Sequence, residues 1–215
     1  MNLKTSLEAL AFAALLSTSV NSHAAFTVFT SQESFLAAVT APGVDTFAGL
    51  STTAPTLSPI TRSAGPYTYT ASSTTSFFGA GTAGNPALST NVDTDMIMFF
   101  DITGGASAIG GLFFGSDVLG NFTGATVILT ATDALGSTST QTVLATPTTF
   151  VGFVSTAALV SLDVATAMPG EFSFPTVDDL TLAVASAAPV PEPETWALLV
   201  AGLGVLGLRR RKRPA

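Results

Sequence analysis

Thr126-Val127-Ile128-Leu129-Thr130-Ala131-Thr132, then Asp133-Ala134-Leu135-Gly136, then Ser137-Thr138-Ser139-Thr140-Gln141-Thr142-Val143-Leu144 is the stretch that decides the fold class. Residues 126–132 alternate between apolar and hydroxyl side chains, so one face of a strand is greasy and the other wet. Asp-Ala-Leu-Gly supplies turn chemistry, and residues 137–144 return as a second strand, which makes a β-hairpin.

The same chemistry extends outward from this hairpin. Residues 67–70 alternate, residues 96–102 and 109–114 are dense apolar runs, and residues 150–154, 159–164 and 177–184 add three more strands. Thr, Val, Phe and Gly abound between residues 25 and 185, while Glu and Lys are nearly missing, a composition suited to strands. Turn signals recur at a spacing of roughly ten residues, the pattern of an all-β, antiparallel β-sandwich. One short N-terminal helix is expected, with Thr30 and Glu33 as a capping box, Phe35, Leu36 and Val39 as its apolar stripe, and Pro42-Gly43 as its stop. Residues 51–66, rich in Ser, Thr and Pro, read as an edge strand with loops.

Both chain ends read as processing segments. Residues 1–24 form a signal peptide: Lys4 precedes an apolar run, and Ser22-His23-Ala24 offers small residues for cleavage by signal peptidase after passage through the general secretion machinery. Residues 25–185 are the folded domain, a length of about 160 residues that suits one core. Residues 186–189 are a linker, and residues 190–213 form a C-terminal signal. Within it, residues 195–208 are an apolar helix about 21 Å long, shorter than the roughly twenty residues that usually span a bilayer. Arg209, Arg210, Arg211, Lys212 and Arg213 follow as a membrane stop and orient the C-terminus toward the cytoplasm.

Charge and missing residue types exclude whole classes of function. Residues 25–185 carry eleven acids against one base, Arg62, a formal charge of −10. That surface excludes nucleic acid and anionic lipid, which need Lys or Arg contacts. Cysteine is absent and the one histidine, His23, leaves with the signal peptide. The delivered domain therefore has no Ser-His-Asp or Cys-His chemistry and no ordinary zinc site. Carboxylate catalysis and an oxygen-ligated hard cation stay open.

Within the domain, Asn91, Asp93 and Asp95 place oxygen side chains at alternate positions, like the first half of a calcium loop, with Asp101, Asp178 or Asp179 as further ligands. Met96 and Ile102 stand where an EF-hand needs Gly and Glu, so the alternatives are a looser calcium site and a solvated acidic loop. Tyr67 and Tyr69 share one strand face and are candidates for stacking on a sugar; cross-strand packing is the plainer alternative. Asp178 and Asp179 sit at the start of the last strand, where adjacent residues face opposite sides. Thr138, Thr140 and Thr142 line one strand face, as the rows of an ice-binding array do; for a single row without repeats, β-propensity on an exposed face is the plainer alternative. Gly202-Leu203-Gly204-Val205-Leu206-Gly207 spells a dinucleotide fingerprint, but it follows no strand and opens no βαβ unit.

The order Val190-Pro191-Glu192-Pro193, Thr195-Trp196-Ala197-Leu198-Leu199, a Gly-rich apolar segment and Arg209-Arg210-Arg211-Lys212-Arg213 resembles the PEP-CTERM sorting signal. The resemblance implies a Gram-negative source that makes exopolysaccharide, and processing by an exosortase that recognises Pro191, Glu192 and Pro193. It also implies inner-membrane anchoring with a periplasmic domain before processing, and the cell surface or extracellular matrix after it. The Asp178-Asp179 pair ahead of Leu180-Thr181-Leu182 resembles the closing strand of galactose-binding-like jelly-roll domains. On this reading the protein is a non-enzymatic component of the exopolysaccharide matrix, without a cofactor unless calcium binds. The alternatives are a carboxylate-dependent glycan hydrolase or lyase, and a calcium-dependent adhesin.

Overall fold

The computed structural model describes residues 25–168 and 172–186. The expected signal peptide, most of the linker, the sorting residues Val190 to Pro193, the segment 195–208 and the basic stop lie outside the described residues. Among the described residues strands dominate, every ladder is antiparallel, and helix is confined to six residues.

The first sheet has nine strands. Its main path runs β1 (Phe26–Phe29), β13 (Phe150–Ser155), β9 (Ala108–Ser116), β15 (Phe174–Ala185), β7 (Asn85–Thr90), β6 (Ser76–Thr82) and β3 (Thr56–Leu57). β10 (Phe122–Thr123) adds to β9, and β2 (Val39–Asp45) adds to β15. The second sheet has six strands, ordered β12 (Thr138–Ala145), β11 (Ala125–Asp133), β14 (Leu159–Thr166), β8 (Ile97–Phe100), β5 (Tyr67–Ser72) and β4 (Ile60–Ala64). Residues 51–66 thus supply an edge strand to each sheet, β3 and β4.

The hairpin forms where its sequence places it. Val127, Leu129 and Ala131 are fully buried, and Thr126, Ile128, Thr130 and Thr132 alternate outward. Asp133 closes the turn: its Oδ1 accepts from the Leu135 and Ser137 N–H groups at 3.0 Å each, and its carbonyl accepts from the Gly136 N–H. Gly136 takes φ +77°, which glycine adopts without a steric penalty. The carboxylate's other oxygen accepts from the Ser155 hydroxyl at 2.8 Å, tying the turn to the end of β13.

One buried apolar cluster draws Ile109, Phe113, Val177 and Leu182 from the first sheet and Tyr69, Phe99, Val127 and Val164 from the second. Removing these side chains from water is the main stabilising term, about 25 cal/mol per Å² of apolar surface. A second cluster joins Phe35 of the helix α1 (Gln32–Ala37) to Ala108, Phe150 and Ala183 of the nine-stranded sheet.

Several expectations need correction. The helix cap is Ser31, whose hydroxyl accepts from the Ser34 N–H, rather than Thr30. Pro42-Gly43 does not stop the helix, which ends at Ala37; both residues lie inside β2, and Leu36 is 39% exposed. β15 begins at Phe174, ahead of the Asp178-Asp179 pair, and a bulge between Asp178 and Thr181 breaks strict alternation there. The hairpin of β6 and β7 was hidden by the glycines of the first and by Pro86 in the second. Pro86 is tolerated because β15 pairs β7 only at Leu88 and Ser89.

Candidate functional site

Tyr67 and Tyr69 do not offer faces to a ligand: they are 2% and 1% exposed. The Tyr67 hydroxyl donates to the Ala41 carbonyl at 2.9 Å, and Tyr69 belongs to a buried polar cluster centred on Asp45. Asp45 is the last residue of β2. Its Oδ2 accepts from Arg62 Nε at 2.7 Å and from the Tyr69 hydroxyl at 2.7 Å. Its Oδ1 accepts from Arg62 Nη2 at 2.7 Å and from the Phe47 N–H at 2.8 Å. Burial pushes the carboxyl toward a higher pKa, but the bonds from Arg62, Tyr69 and Phe47 outweigh it and hold Asp45 below the usual range. Burial, then the Asp45 charge, pushes the Tyr69 phenol up. Arg62 also sits 5.4 Å from the centre of the Phe47 ring. The domain's one cation is thereby committed to an internal bidentate pair.

The oxygen side chains of the acidic loop differ in exposure and in partners. Asn91 is exposed, Asp93 is half-buried and Asp95 is buried. Asp95 Oδ2 accepts from the Thr75 N–H at 3.2 Å and its hydroxyl at 2.8 Å, while Asp93 Oδ2 accepts from the Phe172 N–H at 2.9 Å. Each carboxylate ties the loop to a different segment. Among the described residues, no three acids gather where they could share a metal ion.

At the β15 bulge, Asp178 is 7% exposed and its Oδ1 accepts the Asp179 N–H at 2.9 Å. Burial, helped by the neighbouring Asp179 charge, pushes the Asp178 carboxyl up to about 6. Asp179 adopts φ +49°, a left-handed conformation unusual outside glycine. The bulge re-aims the pair, so the strand-alternation argument does not govern these two residues.

The threonine row is one column of a wider surface. Thr138, Thr140 and Thr142 of β12 lie opposite Thr132, Thr130 and Ile128 of β11, which in turn face Ser161, Asp163 and Ala165 of β14. The Thr130 and Thr140 hydroxyls are 3.1 Å apart. Ile128 and Ala165 interrupt the hydroxyl pattern. Burial raises the Asp163 pKa, and its Oδ1 has no hydrogen-bond partner.

Sequence reasoning missed the buried hydroxyl cluster of Ser89, Ser116 and Thr176, joined by contacts of 2.9 to 3.1 Å between β7, β9 and β15. No local pattern announces it, because the three residues come from distant parts of the chain. A groove of about 120 Å³ opens beside it, lined by Phe78, Asn91, Asp117 and Phe174 among others.

No curated protein and no solved structure matches the chain. Residues 189–213 match the family model of the PEP-CTERM protein-sorting motif, so the C-terminal tail is a sorting signal of the kind carried by exported proteins that an exosortase processes.

Proposed function

We propose that the protein is a non-enzymatic binding or structural component of an exopolysaccharide matrix, delivered as a jelly-roll-like β-sandwich. The observation that carries this reading is the sorting motif over residues 189–213. The order of events follows from the two ends. Signal peptidase frees the N-terminus, the apolar segment 195–208 and basic stop hold the precursor in the inner membrane, and exosortase acts at Pro191-Glu192-Pro193. The domain is then released to the surface or matrix.

The delivered domain is suited to neutral or cationic surroundings. Arg62 is bound to Asp45, so among the described residues no cation is left to grip a polyanion. The enzyme alternative needs two carboxyls roughly 5–10 Å apart across a cleft. Among the described residues, Asp117 is the one carboxylate that lines the groove beside Ser89 and Ser116.

The sorting step is tested by Glu192→Ala in the producing cell. The variant precursor should accumulate uncleaved in the inner membrane, seen as a larger band in membrane fractions. Release to the surface at the wild-type level would rule the reading out.

A further inference from the structure

A second groove, of about 330 Å³, opens where β11 begins, β14 ends and the chain enters β15. Thr166 and Ser173 line it, and the hydroxyl oxygens of both are buried without a hydrogen-bond partner. Thr166 is 7% exposed. Buried hydroxyls are rarely left unpaired, because each has given up water and gained nothing in return. The Ser89, Ser116 and Thr176 cluster shows the usual outcome in this same protein.

The rest of the groove supplies what a hydroxylated ring requires. Phe172 and Met168 give it apolar walls that are 71% and 59% exposed. Phe172 stands at φ +56°, a strained conformation for an aromatic residue, with its N–H held by Asp93. Gly115 lets β9 pass beneath: a Cβ there would lie 2.7 Å from the Ala125 Cβ and 2.9 Å from the Ser173 hydroxyl. Asp117 stands at the rim. Its bond from the Asn121 side chain lowers its pKa, so it stays ionised and repels anions.

We propose that this groove is a subsite for a neutral polysaccharide, with the C–H face of one sugar ring against Phe172 and its hydroxyls paired to Thr166 and Ser173. Sugar rings present such mixed surfaces, and aromatic faces with adjacent hydrogen-bonding groups match them. The proposal rests on the matrix reading above and gives it a location.

The test uses the full chain in a zwitterionic detergent that carries no sugar, with cellohexaose and maltohexaose as probes and a polygalacturonate hexamer as the anionic control. Methyl NMR should show saturable shifts at Thr166 and Met168 with at least one neutral probe, and none with the control. Phe172→Ala and Thr166→Val should each weaken that binding by about tenfold or more. Thr166→Val should leave the melting temperature unchanged or higher, since it removes an unpaired hydroxyl. A neutral probe that binds both variants as it binds wild type would overturn the groove while leaving the matrix reading intact. No binding of either neutral probe, or a melting temperature lowered by Thr166→Val, would overturn the groove as well. The matrix reading is then judged separately by the Glu192→Ala experiment.

Discussion

The Asp45 cluster and the groove at Thr166 treat buried polarity in opposite ways. Around Asp45, both carboxylate oxygens accept two bonds each, from Arg62, Tyr69 and the Phe47 backbone. At the groove, the Thr166 and Ser173 hydroxyls accept and donate none. The first arrangement links β2, β4 and β5 and does the work of a staple in a protein without cysteine. The second contributes no such link and leaves hydrogen-bonding capacity unused beside a groove. A fully paired buried polar group is a structural device, and an unpaired one beside an aromatic wall invites a ligand.

Four substitutions test that contrast. Arg62→Met should be the most damaging, with a loss of about 3 kcal/mol in chemical denaturation, because it leaves the Asp45 charge buried without its ion-pair partner. A loss under about 1 kcal/mol would mean that the pair behaves like an exposed one.

Asp178 provides the intermediate effect, and its sign is opposite to that of Asp45. The folded-state pKa of Asp178 is raised to about 6 from 3.8. Its contribution to stability is therefore fully present below the unfolded value and is lost as pH rises through about 6. Asp45, whose pKa is lowered, contributes above the unfolded value and loses that contribution as pH falls. Asp178→Asn should raise the melting temperature relative to wild type at about pH 7.5 but hardly at about pH 4. Equal effects at both pH values would show that the carboxyl is not held in its neutral form.

Thr166→Val should have the smallest effect on stability: no change, or a gain of up to about 1 kcal/mol. Tyr69→Phe is the matched control at the paired cluster. It removes a bond to a charged group and should cost about 2 kcal/mol. If the two variants behaved alike, the contrast between the regions would fail.

Much of the fold was legible because its signals are local. The alternation of 126–132, the Asp133 to Gly136 turn and the apolar runs became β11, β12, β9, β13 and β14 with small shifts at their ends. Strands with irregular patterns were less visible: β6 is interrupted by glycines, β7 contains a proline, and β2 was read as a helix and its stop. For the candidate sites, residue type was an incomplete guide. The tyrosine pair had the chemistry for stacking but lies on the core face, where its hydroxyls find Ala41 and Asp45. Asp93 and Asp95 had the spacing of metal ligands, yet they bond to Phe172 and Thr75.

The sequence by itself determined the strand-rich class, the acidic and histidine-free character of the domain, and the sorting tail matched over residues 189–213. These are properties of composition, short-range order and position, which one chain carries without folding. Only the tertiary structure decided that the domain's one cation is consumed by Asp45. It also decided that Thr166, Phe172 and Ser173 line one groove, with Ser173 packed against Gly115 of β9. Those outcomes depend on which strands become neighbours. That is set by burial of the shared apolar core, a sum over residues far apart in the chain.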